Sequence, residues 1–124
     1  MIDAAALRSW CLAQPGVTEE RPFGPITTVF KVERKVFVLS ALERTPLEVS
    51  LKCEPPLAEQ LRRDYPATVR PGYHLNKRHW NTVLCDGSLP DQMIFDMVED
   101  SYDLVVEKLP RATRERLGWS AEAS

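Results

Sequence analysis

The sequence predicts an α+β fold in a single domain, an antiparallel sheet with helices packed on one of its faces. Three observations predict it. Segments rich in Val, Phe and Thr, or alternating apolar with polar residues, recur at strand length within residues 27–53 and 68–85. Two of these segments are separated by only two residues, which makes them antiparallel neighbours. Stretches with apolar residues three and four apart lie before, between and after the strands. Strands in runs, flanked by helices rather than alternating with them one by one, place the helices on one side of the sheet.

Each element has its own signal. Asp3 is placed to cap a first helix reaching about Gln14, with Leu7, Cys11 and Gln14 on one face and Trp10 beside it. Pro15-Gly16 ends that helix, and RPFGP at 21–25 is loop. Residues 27–32 and 35–42 are strands joined at Glu33-Arg34. In residues 47–53, Leu47, Val49 and Leu51 face one way and Glu48, Ser50 and Lys52 the other, as in a strand with one wet face. Pro55-Pro56 opens a second helix to about Tyr65, with Leu57, Leu61 and Tyr65 in line as its inner stripe. Two more strands, 68–73 and 80–85, surround an unusual motif, and Asp86-Gly87 is a turn. Pro90 opens a long helix to about Lys108 with Ile94, Met97, Val98, Tyr102 and Val105 inward, and Pro110 stops it. A short helical tail over 112–117 completes a domain of residues 1–117, leaving 118–124 as a tail expected to be disordered.

Composition bounds the function. With 124 residues, 44% hydrophobic and 27% charged, the chain can bury one core without staples. A net charge of −2 excludes a protein that coats nucleic acid by charge alone, though it permits a local basic patch. Cys11, Cys53 and Cys85 form no CxxC pair, so neither a zinc ribbon nor a redox pair is indicated. Reduced, mostly buried thiols in a cytoplasmic protein are expected. The N-terminus lacks a basic start followed by an apolar run, and no apolar run is long enough to cross a bilayer. Neither a signal peptide nor a membrane partner is expected.

The motif is PGYHLNKRHWNTV, residues 71–83, which holds both histidines of the chain. His74 and His79 are five apart with no Cys, Asp or Glu near them, so no metal site is expected there. A cysteine nucleophile needs an oriented histidine, and Cys85 with His79 is the only such pairing the motif suggests. Two readings of the motif stand side by side. In the structural one, Asn76 caps a single helical turn, Lys77 to Trp80, Trp80 anchors that turn to the core, and His74 and Asn81 bond backbone carbonyls. In the functional one, the motif contacts an anion or a nucleic acid.

Charge distribution supports the second. Residues 62–80 hold five Lys or Arg against one Asp, whereas residues 90–107 hold six Asp or Glu and no basic residue. The near-neutral total conceals a bipolar molecule, and local potential decides where a polyanion lands. The acidic stripe of Asp96, Asp100, Asp103 and Glu107 is read first as a solvated helix face. A weak metal ridge and a surface for a basic protein partner are its alternatives. Neither a paired acid and base nor a phosphate-cradling glycine loop is visible, so no enzyme and no cofactor are expected.

The chain resembles the MmcQ/YjbR family of small bacterial proteins. The resemblance rests on Ser50-Leu51-Lys52-Cys53 before a Pro-opened helix, on PGYHLNKRHWNTV, on Asp86-Gly87-Ser88-Leu89-Pro90, and on residues 104–110, LVVEKLP. Cys11-Leu12, Pro15-Gly16 and Pro22-Phe23-Gly24 also match, so it spans residues 3–117. It implies a CyaY-like α+β fold related in shape to frataxin, and no enzymatic activity. It also implies DNA binding, since members are described as DNA-binding proteins with a double-wing arrangement. The expected DNA contacts are Lys52, Arg70, Tyr73, His74, Asn76, Lys77, Arg78 and His79, with Trp80, Asn81 and Thr82 as structural anchors. The rival functions are a protein-interaction adaptor using the acidic helix at 90–107 or the motif surface, and a frataxin-like weak metal binder.

Overall fold

A computed structural model of the chain describes residues 1–72 and 75–120. Helix α1, Ala4–Ala13, starts where Asp3 accepts the Ala6 amide at 2.8 Å, and it buries Leu7 and Cys11. Strands β1 Val17–Glu20, β2 Thr28–Val32, β3 Lys35–Ser40 and β4 Leu47–Lys52 follow. Then come α2 Pro55–Asp64, β5 Val69–Pro71, β6 Trp80–Cys85, α3 Asp91–Val106 and α4 Arg111–Arg116.

All pairings are antiparallel, in the order β1-β2-β3-β4-β6-β5. The first four strands form a meander. Helix α2 then carries the chain to the edge, and β6 returns between β5 and β4. The β2–β3 turn places Glu33 and Arg34 at φ 48° and 68°, the left-handed geometry that a two-residue hairpin of this twist requires.

The sheet has two unlike faces. On one, Phe30, Val38, Leu51, Val49 and Leu47 pack with Ile94, Val98, Tyr102 and Val105 of α3 into the core. Ser101 of α3 stitches this face at a bulge, where Phe30 opposes Val38 and Lys31 opposes Val36. Its hydroxyl donates to the Phe37 carbonyl at 2.6 Å and accepts from the Lys52 amide at 2.9 Å. On the other face runs the cross-strand row Val29, Leu39, Ser50, Thr82 and Arg70, each in register with the next. Among the described residues, the helices pack on the opposite face from this row.

The α+β single domain with helices on one sheet face is as the sequence predicts. Strand β1 is an addition. Its segment, VTEE, contains one apolar residue and has the charged character of an edge strand, so it carries little strand signal. The inner stripe of α2 is also different. Leu57 and Tyr65 are exposed, while Ala58 is buried and Leu61 and Arg62 are half-buried. The folded chain also runs past residue 117. Trp119 packs against the core and donates its indole N–H to Asp103 at 2.8 Å, and residues 121–124 lie outside the described residues.

Candidate functional site

The motif turn is built from its own backbone. Asn76 Oδ1 accepts the Arg78 amide at 3.0 Å, and the Asn76 carbonyl accepts the amides of His79 and Trp80. The result is one capped turn between β5 and β6, not a helix. Gly72 lies close against it. A Cβ there would come within 2.9 Å of the Trp80 Cβ, so only glycine lets the strand end approach the ring.

Arg62 of α2 clamps this turn from the side. Its Nε donates to Asn81 Oδ1 at 2.7 Å, and its Nη2 donates to the carbonyls of Trp80 and Lys77. Asn81 is buried and reaches the Ala58 carbonyl at 3.4 Å, so helix, turn and strand form one unit. Thr82 is also buried, with its hydroxyl 2.9 Å from that of Ser50. Arg62 is therefore spent on structure, although it counts toward the basic segment in the sequence.

Trp80 does not reach the core. Its ring is half-buried in the wall of a cleft on the helix-free face of the sheet. The position follows from register: Trp80 pairs with Lys52 two residues from the Ser50–Thr82 pair, on the same side of the sheet. The cleft encloses about 560 Å³, with Phe23, Val36, Leu39 and Leu75 as its other apolar walls. Phe23 sits on the RPFGP loop and is 74% exposed. Exposed apolar groups gathered around a concavity mark a binding surface more than a scattered few do. A polar depression of about 380 Å³ continues the cleft toward β5, sharing Arg44, Glu48 and Ser50 with it and adding Arg70, Pro71 and Thr82.

The expected contact residues are only partly gathered here. Lys77 and Arg78 are exposed on the turn at the Trp80 end of the cleft. Arg70 lies at the other end, in an ion pair with Glu48. Lys52 and His79 line a separate, smaller depression with Cys53, Glu54, Glu107 and Lys108. There burial, followed by the charges of Lys108 and Lys35, lowers the Lys52 pKa from its ordinary value. Tyr73 and His74 lie outside the described residues. The sequence reading missed Arg44 and Leu39, which belong to no motif, and it did not single out Phe23 or Leu75, although RPFGP and the 71–83 motif contain them.

The rival chemistries find less support in this geometry. Cys85 is at the far end of β6 from His79, in register with Leu47, so that pair cannot act together. The thiol beside His79 is that of Cys53, whose amide donates to the His79 carbonyl at 2.7 Å. Burial and then the Asp100 and Glu54 charges raise the Cys53 thiol, the opposite of what a nucleophile needs. Among the described residues, no three His, Cys, Asp or Glu side chains come together as a metal site. On α3, Asp91 pairs with the N-terminal ammonium, Asp96 accepts from Gln92 and Asp103 holds Trp119. No helix among the described residues is long and apolar enough to cross a membrane.

Comparison with known proteins places this geometry among relatives. The sequence model of the YjbR family matches residues 12–104. The chain is 43% identical over 112 residues to the YjbR protein of Escherichia coli K12, covering 90% of this chain and 93% of that one. It is 35% identical over 96 residues to the YbdF protein of Escherichia coli O157:H7, covering 77% and 78%. The crystal structure of a Deinococcus radiodurans protein superposes with a TM-score of 0.91 at 38% identity, over 97% of this chain and 91% of that one. A Pseudomonas syringae protein superposes at 0.71 and 25% identity, over 83% and 98%.

Proposed function

The chain belongs to the YjbR family, and from that premise we propose that it is a cytoplasmic, non-enzymatic DNA-binding protein whose contact surface is the helix-free sheet face with the turn at 76–79. One observation carries this reading. Arg44 lines the apolar cleft, Lys77 and Arg78 are exposed on the turn that leads into its Trp80 wall, and none of the three has a carboxylate partner among the described residues. The acidic helix α3 packs on the opposite face of the sheet. Cations free of intramolecular partners supply phosphate contacts, and apolar rings supply surfaces for bases. Placing the carboxylates of α3 across the sheet keeps like charge away from the phosphates.

The reading gives the chain no catalytic step of its own. The carboxylate in the cleft, Glu48, is held by Arg70 rather than standing beside an acid or base partner. The adaptor reading is less favoured, because three of the six acidic residues of the 90–107 segment already serve contacts within the chain.

The test is fluorescence anisotropy with short duplex and single-stranded DNA across a salt series. Three free cations on duplex phosphates give a log–log salt slope of about −3, at roughly −0.9 each. Replacing Lys77 and Arg78 together by Ala flattens it by about two units and weakens all sequences alike. Absence of binding at low salt, or binding indifferent to the double substitution, rejects the reading.

A further inference from the structure

We infer that the cleft receives one unstacked nucleobase of a single strand, with the adjoining phosphate held at Arg44 and Arg70. The inference rests on the nucleic-acid reading above and adds which form of nucleic acid the site takes.

The floor carries the argument. The row Leu39, Ser50, Thr82 and Arg70 crosses four strands in register and changes along its length from apolar to hydroxyl to cationic. That is the order of chemistry in a nucleotide, from the face of the base through its polar edge to the phosphate. The apolar part of about 560 Å³ lies within the range of pockets that enclose small ligands, roughly 300–1,000 Å³. Its exposed Phe23 and half-buried Trp80 offer rings on which a base can lie. The polar part, about 380 Å³, holds both arginines.

Charge fits the same occupant. Glu48 engages Arg70 and fixes its guanidinium, while Arg44 has no acidic partner among the described residues. The polar end therefore keeps net positive charge for a phosphate. A base paired and stacked within a duplex presents only its edge in a groove, and cannot enter a cleft walled by loop and turn. An unstacked base can, and single-strand proteins bind in this way, with cationic grooves beside stacking rings.

The experiment measures binding of a fluorescein-labelled mixed-sequence 12-mer, of its duplex and of a free mononucleotide to the full chain at low salt. Phe23→Ala and Arg44→Ala are compared with the unsubstituted chain. Both side chains are exposed, so folding survives, and thermal melting checks it. The single strand is expected to bind more tightly than the duplex. Phe23→Ala should lower single-strand affinity about tenfold, the scale of one lost base–ring contact, with little effect on duplex. Arg44→Ala should reduce the single-strand salt slope by about 0.7. Duplex binding at least as tight as single-strand binding, with Phe23→Ala neutral, overturns this inference and leaves the nucleic-acid reading standing. A mononucleotide bound as tightly as the 12-mer overturns it in favour of a small-ligand site. No binding to any of the three removes both.

Discussion

Arg62 donates through its Nε to the side-chain oxygen of Asn81, 2.7 Å away and nineteen residues on in sequence. This bond, with those to the Trp80 and Lys77 carbonyls, joins α2 to the turn that presents Lys77 and Arg78. Arg62→Ala removes the donor of the buried Asn81 side-chain oxygen and of the Lys77 carbonyl, and leaves the Trp80 carbonyl with the Gly72 amide alone. Hydrogen bonds to a charged group are worth about 1.5–3 kcal/mol, so a loss on that scale is expected in urea unfolding. Arg62→Lys should recover little, because one ammonium cannot reproduce the guanidinium fork. Full recovery by Lys would show that charge, not geometry, holds the turn.

Arg34 occupies the left-handed region at φ 68°, and its side chain makes no hydrogen bond or ion pair among the described residues. For an L-residue this conformation costs about 1–2 kcal/mol, and glycine avoids it at an entropic cost of about 0.5–1 kcal/mol. Arg34→Gly should therefore stabilise the protein by about 0.5–1 kcal/mol in denaturant unfolding. Glu33 is the poorer target, since it is paired with Arg116 of α4. A loss of stability in Arg34→Gly would contradict this account of the hairpin.

Asp100 has its pKa raised from the ordinary value of 3.8, first by burial and then by Asp103, Asp96 and Glu54. The folded chain thus binds this proton more tightly than the unfolded chain, and the group's contribution to stability falls as pH rises from 3.8 through the raised value. Asp100→Asn removes that loss. The gain at neutral pH should be about 0.2–0.5 kcal/mol for each like-charge helix neighbour relieved, and should vanish in acid. Equal melting temperatures of the two proteins across the pH range would refute it.

The three cysteines are free and differ in access. Burial, then Glu19, pushes Cys11 up to about 12, and burial with Asp86, Asp91 and Glu48 pushes Cys85 up to about 11. Cys53 is half-buried and also raised. With iodoacetamide at mildly alkaline pH, the native protein should be modified first at Cys53, and at Cys11 and Cys85 only on unfolding. Mass spectrometry showing early labelling of Cys11, or a native disulfide, would contradict the placement of these side chains.

What the sequence makes legible depends on whether a residue's role agrees with its type. The alternation of Leu47, Val49 and Leu51 reads correctly because apolar residues point to the core. The α1 cap reads correctly because Asp3 does what a capping residue does. The inner face of α2 reads wrongly because it includes Arg62, which a hydrophobicity pattern assigns to solvent. Trp80 is misplaced for the converse reason: a large ring suggests the core, whereas strand register puts it on the open face. The turn at Asn76 is local and can be anticipated from neighbouring residues. The cleft is not local, since Phe23, Leu39, Arg44 and Leu75 meet only once four strands are in register.

The most direct measurement is a titration of isotope-labelled protein with a short single-stranded oligonucleotide, followed by amide and indole NMR shifts. The account predicts shifts concentrated at Leu39, Arg44, Ser50, Lys77, Arg78 and Thr82 and at the Trp80 indole, with Asp91, Asp96 and Glu99 of the acidic segment unmoved. Shifts centred on that segment, or none at saturating oligonucleotide and low salt, would contradict it.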